Sequence, residues 1–379
     1  MQELETAAAT GEKDRKRRTV ILVVTHRCNL SCSYCYQNNK SDKRMTLEQA
    51  KHIFARMFEE SAAFGEIEFD FLGGEPLLEF ELIRDLCEWA WNQSWSKPYL
   101  FFTTTNGTVM TGEMKEWFSK NKEGFYISLS FDGLAEAQRM NRSNSDDLVD
   151  LDFFAANWPD QPIKMTVSPD SLPLLADGII FLHKKGFKIG ANLALGIHWD
   201  LALIGEFNRQ LDRLMDFYLA NPEYSPATIL DMKLYGVLDE EAGPKKFCGT
   251  HDHMVTIDTD GEAYPCHTFT PLVLSPEQIS ELRGLDLDDL DIYHSEKCDK
   301  CAVQRVCPTC YGLNFKFRGK LSGRDTENYC SFVKAQVLAN CKFQARRLQA
   351  VATSETGEIS HEDFLTAKSI LKIASLTNP

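Results

Sequence analysis

Eleven of the chain's twelve cysteines fall into two groups whose spacing suits metal rather than disulfides. Cys28-x3-Cys32-x2-Cys35 directly follows an apolar, strand-like run from Thr19 to Thr25. The second group comprises Cys248, Cys266, Cys298, Cys301, Cys307, Cys310 and Cys330, with Cys341 nearby. Three thiolates on one short loop can hold three irons of a [4Fe–4S] cube and leave the fourth iron open to another ligand. Structural zinc is the competing reading, and it wants four tetrahedral ligands. In the first group the fourth would be His26, because Cys87 lies in a helical pattern with Leu82, Leu86, Trp89 and Ala90 and reads as core. In the second, a ribbon of Cys298, Cys301, Cys307 and Cys310 would leave Cys248, Cys266 and Cys330 idle.

The 379 residues allow a large core and two domains, and the 43% hydrophobic content is that of an ordinary globular chain. No apolar run is long enough to span a bilayer, and the N-terminus has no signal-peptide core. A cytoplasmic location is therefore expected, where thiols stay reduced. The net charge of −14 speaks against nonspecific nucleic-acid binding, and no membrane partner is expected. One basic run, Lys13 to Arg18 with Asp14 inside it, reads as a solvated lead-in to the first strand; the alternative is a contact for an acidic peptide.

Strand and helix patterns alternate up to about residue 220. Strand-like runs at 18–25, 66–72, 98–104, 125–131, 162–168 and 188–196 alternate with helical segments near 46–62, 79–95, 111–121, 148–157, 170–185 and 200–220. Six such repeats imply an α/β fold, a parallel sheet with crossover helices of which a partial (β/α)6 barrel is one form, with ligands gathered at the C-terminal strand ends. The expected divisions are a lead-in at 1–17, the barrel at 18–221, a bridge at 222–247, a Cys-rich domain at 248–345 and a tail at 346–379. Within the Cys-rich domain, Met254–Asp258 and Glu262–Cys266 read as a hairpin turned by Thr259-Asp260-Gly261. A helix near 325–348 follows, and an amphipathic one at His361–Ala374 packs on the surface.

The loop Cys28-Asn29-Leu30-Ser31-Cys32-Ser33-Tyr34-Cys35 resembles the CxxxCxxC signature of the radical S-adenosylmethionine (SAM) superfamily, with its aromatic Tyr34 before the last cysteine. The resemblance implies that the three thiolates hold a [4Fe–4S] cluster and that SAM chelates its open iron. One electron would then release a 5′-deoxyadenosyl radical, with flavodoxin or ferredoxin as the source of reductant. Further segments fit. Gly73-Gly74-Glu75 resembles the GGE motif for the SAM amino group; its glycines permit close backbone approach. Thr104-Thr105-Asn106-Gly107 is similar to the ribose-proximal segment, giving Thr104 and Asn106. Ser128-Leu129-Ser130-Phe131-Asp132-Gly133 resembles the SLDG-type segment, giving Ser128, Ser130 and Asp132. Arg142 matches an arginine that clamps the SAM carboxylate, and Asn192 and Leu195 would line the adenosine pocket.

The pattern Cys248-x12-Gly261-x4-Cys266 … Cys298-x2-Cys301-x5-Cys307-x2-Cys310 … Cys330 resembles the SPASM domain, departing from it in the x2 before Cys310. That resemblance implies two auxiliary [4Fe–4S] clusters: an outer one on Cys298, Cys301, Cys307 and Cys330, and an inner one on Cys248, Cys266 and Cys310. The inner cluster would keep an iron without protein thiolate, open to a substrate thiolate or capped by Cys341, a histidine or water. Relatives that mature sulfatases carry Asp after the Tyr-Pro-Cys; here Tyr264-Pro265-Cys266 is followed by His267, the candidate proton acceptor. His251 and His253 read as surface side chains. The expectation is a maturase of a ribosomally made peptide that forms a thioether or carbon–carbon cross-link. The alternatives are formylglycine formation on a sulfatase, or a similar protein oxidation, and a zinc-stabilised binding scaffold. The short segment before the first strand leaves no room for a fused winged-helix recognition domain, so leader binding would need a separate partner protein or the bridge and barrel surface.

Overall fold

The computed structural model describes residues 17–238, 246–323, 327–353 and 358–377. Its first half alternates β1 (Arg17–Thr25), α1 (Leu47–Glu60), β2 (Glu66–Gly73), α2 (Phe80–Trp91), β3 (Tyr99–Thr105), α3 (Gly112–Lys120) and β4 (Phe125–Leu129). It continues with α4 (Ala135–Asn141), α5 (Leu151–Asn157), β5 (Ile163–Val167), α6 (Leu175–Lys184), β6 (Ile189–Leu193) and α7 (Ile204–Ala220). All six expected strands form. The helix α4, which delivers Arg142, carries no periodic apolar face and went unread.

Period-2 patterning decides which way each strand faces. On β2, Ile67, Phe69 and Phe71 are buried beneath the helices, while Glu66, Glu68 and Asp70 turn to the concave side. The helical side is held by aromatic packing: Phe54 of α1 stacks on Phe69 at 4.1 Å, and Phe71 on Phe101 at 5.6 Å. Burying one such ring contributes about 2–3 kcal/mol. A reciprocal Thr46–Gln49 capping box starts α1.

The parallel order is β4-β3-β2-β1, while β5 and β6 pair separately and join the rest through a bridge between Ser130 and Lys164. The sheet does not stop at β1. The expected hairpin, β7 (Met254–Ile257) and β8 (Ala263–Tyr264), adds β7 in parallel to the free side of β1, pairing Ile21 with Thr256. The Cys-rich segment is thus stitched into the barrel sheet, which its own short strands did not disclose.

The remaining elements are α8 (Pro276–Arg283), α9 (Glu296–Asp299), α10 (Tyr311–Arg318), α11 (Glu327–Thr353) and α12 (His361–Thr377). Of the bridge, 239–245 lie outside the described residues, but Ala227, Ile229, Leu230 and Leu234 join the main core. Of the basic run, only Arg17 and Arg18 are described; Arg17 pairs with Glu66 and Glu68. Among the described residues no helix is long and apolar enough to cross a membrane.

Candidate functional site

The loop after β1 carries Cys28, Cys32 and Cys35, all half-buried, and each lies within electrostatic reach of the others. Its neighbour is the turn after β2. Gly74 N donates to Thr25 O at 3.1 Å and Glu75 N to Arg27 O at 2.8 Å, so the two loops are laced together. A Cβ on Gly74 would lie 2.3 Å from Arg27 O and 2.8 Å from Cys28 Cβ, and one on Gly73 would lie 2.5 Å from Thr25 O. Only glycine permits this approach.

Glu75 is 1% exposed and accepts from Thr105 Oγ1 (2.7 Å), Asn106 N (2.8 Å) and Leu77 N (3.1 Å). Burial raises its pKa against those hydrogen bonds, which lower it. Asn106 reaches back through Nδ2 to Asn29 Oδ1 at 3.0 Å. The GGE and TNG segments and the cysteine loop therefore form one connected body.

Asp132 is 1% exposed and accepts from Tyr34 Oη (2.7 Å), Asn141 Nδ2 (3.0 Å) and Thr166 N (3.0 Å). Tyr34 and Asp132 are thus committed to each other, and both position the loop rather than presenting free polar groups. Arg142 Nε lies 3.1 Å from Asp132 Oδ1 as a buried ion pair, off the angle of a hydrogen bond. Its guanidinium lies over the Tyr34 ring at 5.4 Å and within reach of Cys32, whose thiol burial pushes up. Ser128 donates to Pro162 O at 2.6 Å, and Thr104 accepts from Lys164 Nζ at 2.6 Å. Ser130 and Asn192 lie on the concave side, with Asn192 exposed there, and Leu195 packs where the two cores meet.

The second cysteine group divides. Cys248, Cys266 and Cys310 are electrostatic neighbours around two hydroxyls: Cys248 Sγ lies 3.2 Å from Thr250 Oγ1 and Cys266 Sγ 3.0 Å from Thr268 Oγ1. Burial pushes the Cys310 thiol up to about 11. Cys301 and Cys307 pack instead against the main core, Cys298 sits on α9, and Cys330 on the first turns of α11. Cys341 is buried in the main core with Val337 and Phe343, apart from the smaller core that holds Cys266. That placement argues against Cys341 as a cap for the inner trio. Cys87 is fully buried in α2, as its pattern implied.

Zinc fits poorly. His26 spends both ring nitrogens elsewhere, Nε2 on Asp258 at 2.6 Å and Nδ1 beside Ser41 Oγ at 3.3 Å. Among the described residues no three His, Cys, Asp or Glu side chains converge on a point one metal ion could share.

Tyr36 joins the two halves. Its hydroxyl is within electrostatic reach of Cys35, Cys310, Cys266 and Asp70, and its ring lies 6.2 Å from that of His267. Burial, with a smaller push from Lys164, drives the His267 imidazole down to about 4. That makes it a weaker proton acceptor near neutrality than the sequence suggested. His251 and His253 are partly exposed or exposed, as expected, with His251 3.3 Å from Asp288. Sequence reasoning missed Tyr36, Asp70 and Lys164; the available signal was a run of charged residues at the concave-facing positions of β2 and β5.

The family model that matches is the radical SAM superfamily, over residues 22–150. A cysteine-type anaerobic sulfatase-maturating enzyme of Clostridium perfringens is 32% identical over 319 residues, covering 74% of this chain and 84% of that one. An uncharacterized protein of Methanocaldococcus jannaschii is 37% identical over 117 residues, but the chain spans only 38% of its length. The structure of native anSMEcpe with bound AdoMet and Cp18Cys peptide superposes with a TM-score of 0.65 at 19% identity, covering 89% of this chain and 99% of that one.

Proposed function

The chain belongs to the radical SAM superfamily, and on that premise we propose that it is a peptide or protein maturase that removes two hydrogens from its substrate and closes a thioether or carbon–carbon cross-link. The observation that carries this reading is the position of Tyr36, between the loop of Cys28, Cys32 and Cys35 and the trio of Cys248, Cys266 and Cys310. Lys164 and Asn192 are exposed on one face of the β5–β6 pair, the face along which an extended peptide would lie.

Cys28, Cys32 and Cys35 would hold the SAM-binding [4Fe–4S] cluster. Bound there, that cluster supplies the electron that cleaves SAM and yields the hydrogen-abstracting radical. The chain's own residues do the positioning. Gly73 and Gly74 let the motif loop approach, and Glu75 ties it to Asn106. With its Nε on Asp132, Arg142 would turn the rest of its guanidinium to the SAM carboxylate, a fit that its place beside Cys32 supports. The adenosine end would lie along Thr104, Ser128, Ser130, Asn192 and Leu195. Cys248, Cys266 and Cys310 would hold the inner auxiliary cluster, and Cys298, Cys301, Cys307 and Cys330 the outer, within a domain at 248–345. With Cys341 in the main core, the inner cluster would keep an iron for a substrate thiolate, a histidine or water. Partners are then the peptide and a reductant protein.

The second reading is formylglycine-type oxidation, favoured by the 32% match to a sulfatase-maturating enzyme. Against it stands His267 after Tyr264-Pro265-Cys266, where the resemblance to sulfatase maturases leads to the expectation of an aspartate.

The test is anaerobic reconstitution with iron and sulfide, then incubation with SAM, dithionite and cysteine- or serine-centred peptides, Cp18Cys among them. A peptide lighter by two hydrogens that keeps its sulfur and carries no aldehyde supports cross-linking, through sulfur where it resists thiol alkylation and through carbon where it does not. Loss of the sulfur with an aldehyde product supports formylglycine formation. Absence of 5′-deoxyadenosine refutes SAM cleavage, and 5′-deoxyadenosine with every peptide unchanged refutes the maturase reading.

A further inference from the structure

The concave side of the sheet carries charge that a packed barrel interior would not. Asp70 stands on it in register with Ile21 of β1 and Phe102 of β3, and Ile21 in turn pairs with Thr256 of β7. This row holds two polar atoms shut off from water and without partners, Asp70 Oδ1 and Thr256 Oγ1. A buried carboxylate oxygen without a hydrogen bond costs stability unless something else uses it.

Across the space, Lys164 projects from β5 and spends its Nζ on Thr104. It lies within electrostatic reach of Asp70, Glu68 and His267. Lys164 is open to the space, but surrounding protein still pushes its ammonium below its ordinary value. The two observations agree if the concavity is deep. Tyr36, which adjoins both cysteine sets, also faces Asp70.

We propose that Asp70 is the proton acceptor of the oxidation and Lys164 its positioning residue. This rests on the maturase reading above. Removing two hydrogens from a C–H and an X–H group takes away one hydrogen atom, one electron and one proton. The hydrogen atom would go to the SAM-derived radical and the electron to an iron–sulfur cluster held by the cysteines. The proton then passes from X–H to Asp70: the X–H bond breaks, a carboxylic O–H forms, and a new bond joins carbon to X.

Burial pushes the Asp70 carboxyl up to about 7, with Lys164 lowering it and Glu68 raising it. A base near the operating pH transfers protons most effectively. The groups that face it are Glu68 on its own strand, Lys164 from β5, Tyr36 from the loop after β1 and Thr256 from β7, with His267 beyond Lys164.

The experiment measures modified peptide per 5′-deoxyadenosine in the reconstituted full chain, with the cysteine- and serine-centred peptides, between pH 5.5 and 8.5. In the wild type this ratio should rise with pH through about 7, where the carboxylate becomes free to accept. In D70N it should fall at least tenfold and lose its pH dependence, and D70E should recover part of it. K164M removes the charge that holds the carboxyl down, so the rise should move to higher pH. A merely structural role lowers peptide product and 5′-deoxyadenosine together and leaves the ratio unchanged. A D70N ratio within twofold of wild type overturns the proposal, as does a K164M profile that overlays the wild type. If the wild type modifies no peptide while making 5′-deoxyadenosine, the maturase reading has failed, and the proton acceptor with it.

Discussion

Gly74→Ala tests whether the motif loop and the cysteine loop act as one body. The added methyl would lie 2.3 Å from Arg27 O, 2.6 Å from Arg27 C and 2.8 Å from Cys28 Cβ, where ordinary contact begins at 3.4 Å. The obstacles are backbone and a Cβ, so no side chain can swing away. Restoring contact requires the two loops to part by roughly 1 Å, which stretches both laces, Gly74 N to Thr25 O and Glu75 N to Arg27 O. Overpacking costs about 1–3 kcal/mol, and each weakened hydrogen bond adds about 1 kcal/mol. The displacement falls on the residue next to Cys28, where a shift of this size spoils a site that must hold a cluster within about half an ångström. G74A should therefore lose the N-terminal cluster and at least tenfold in 5′-deoxyadenosine formation while keeping the iron of the other sets. Iron and sulfide analysis with electron paramagnetic resonance of the reduced protein reads this. The control is G112A, where nothing lies within 4 Å of the new methyl. A G74A protein with a full N-terminal cluster and SAM cleavage within twofold of wild type would refute the reasoning.

Arg142→Ala removes the guanidinium paired with Asp132, whose side chain is fully buried and, among the described residues, keeps only its hydrogen bonds to Tyr34, Asn141 and Thr166. Breaking such a pair costs about 3 kcal/mol, read as a lower urea midpoint of the anaerobic protein, and SAM affinity should fall with it; a midpoint unchanged within error would contradict the ion pair. Cys341→Ala should retain the full iron content because Cys341 lies in the main core, whereas Cys310→Ala should lose iron from the inner set. Equal iron loss in both variants would return Cys341 to the ligand set. His183 is buried between Phe187 O at 3.1 Å and Tyr218 Oη at 2.8 Å, and burial lowers its pKa below 6.5. Its folded form favours neutral imidazole, so its contribution is complete above pH 6.5 and is lost as pH falls through the lowered value. H183Q should flatten the decline in urea midpoint between pH 7 and 5; an unaltered slope would assign that decline to other groups.

The first cysteine loop, the glycine pair and all six barrel strands could be read from the chain because each is local. A cysteine spacing, a Gly-Gly before Glu75 and a period of two are all written within a dozen residues. What could not be read depends on pairing across long separations. β7 follows β1 by more than 200 residues, and four paired positions from Thr19 to Leu22 join them, a contact that neither strand's own pattern specifies. The same pairing brings Asp258 to His26 and removes that imidazole from any zinc reading. It also sets Thr256 beside Ile21 and so completes the row in which Asp70 stands. Asp70 itself was visible as a charged residue amid Phe69 and Phe71, and periodicity alone gives it the solvent face of a half-buried strand. In a sheet that curves around its own ligand space, that face points inward, and the alternation which looks like ordinary surface polarity marks the groups with chemistry to do.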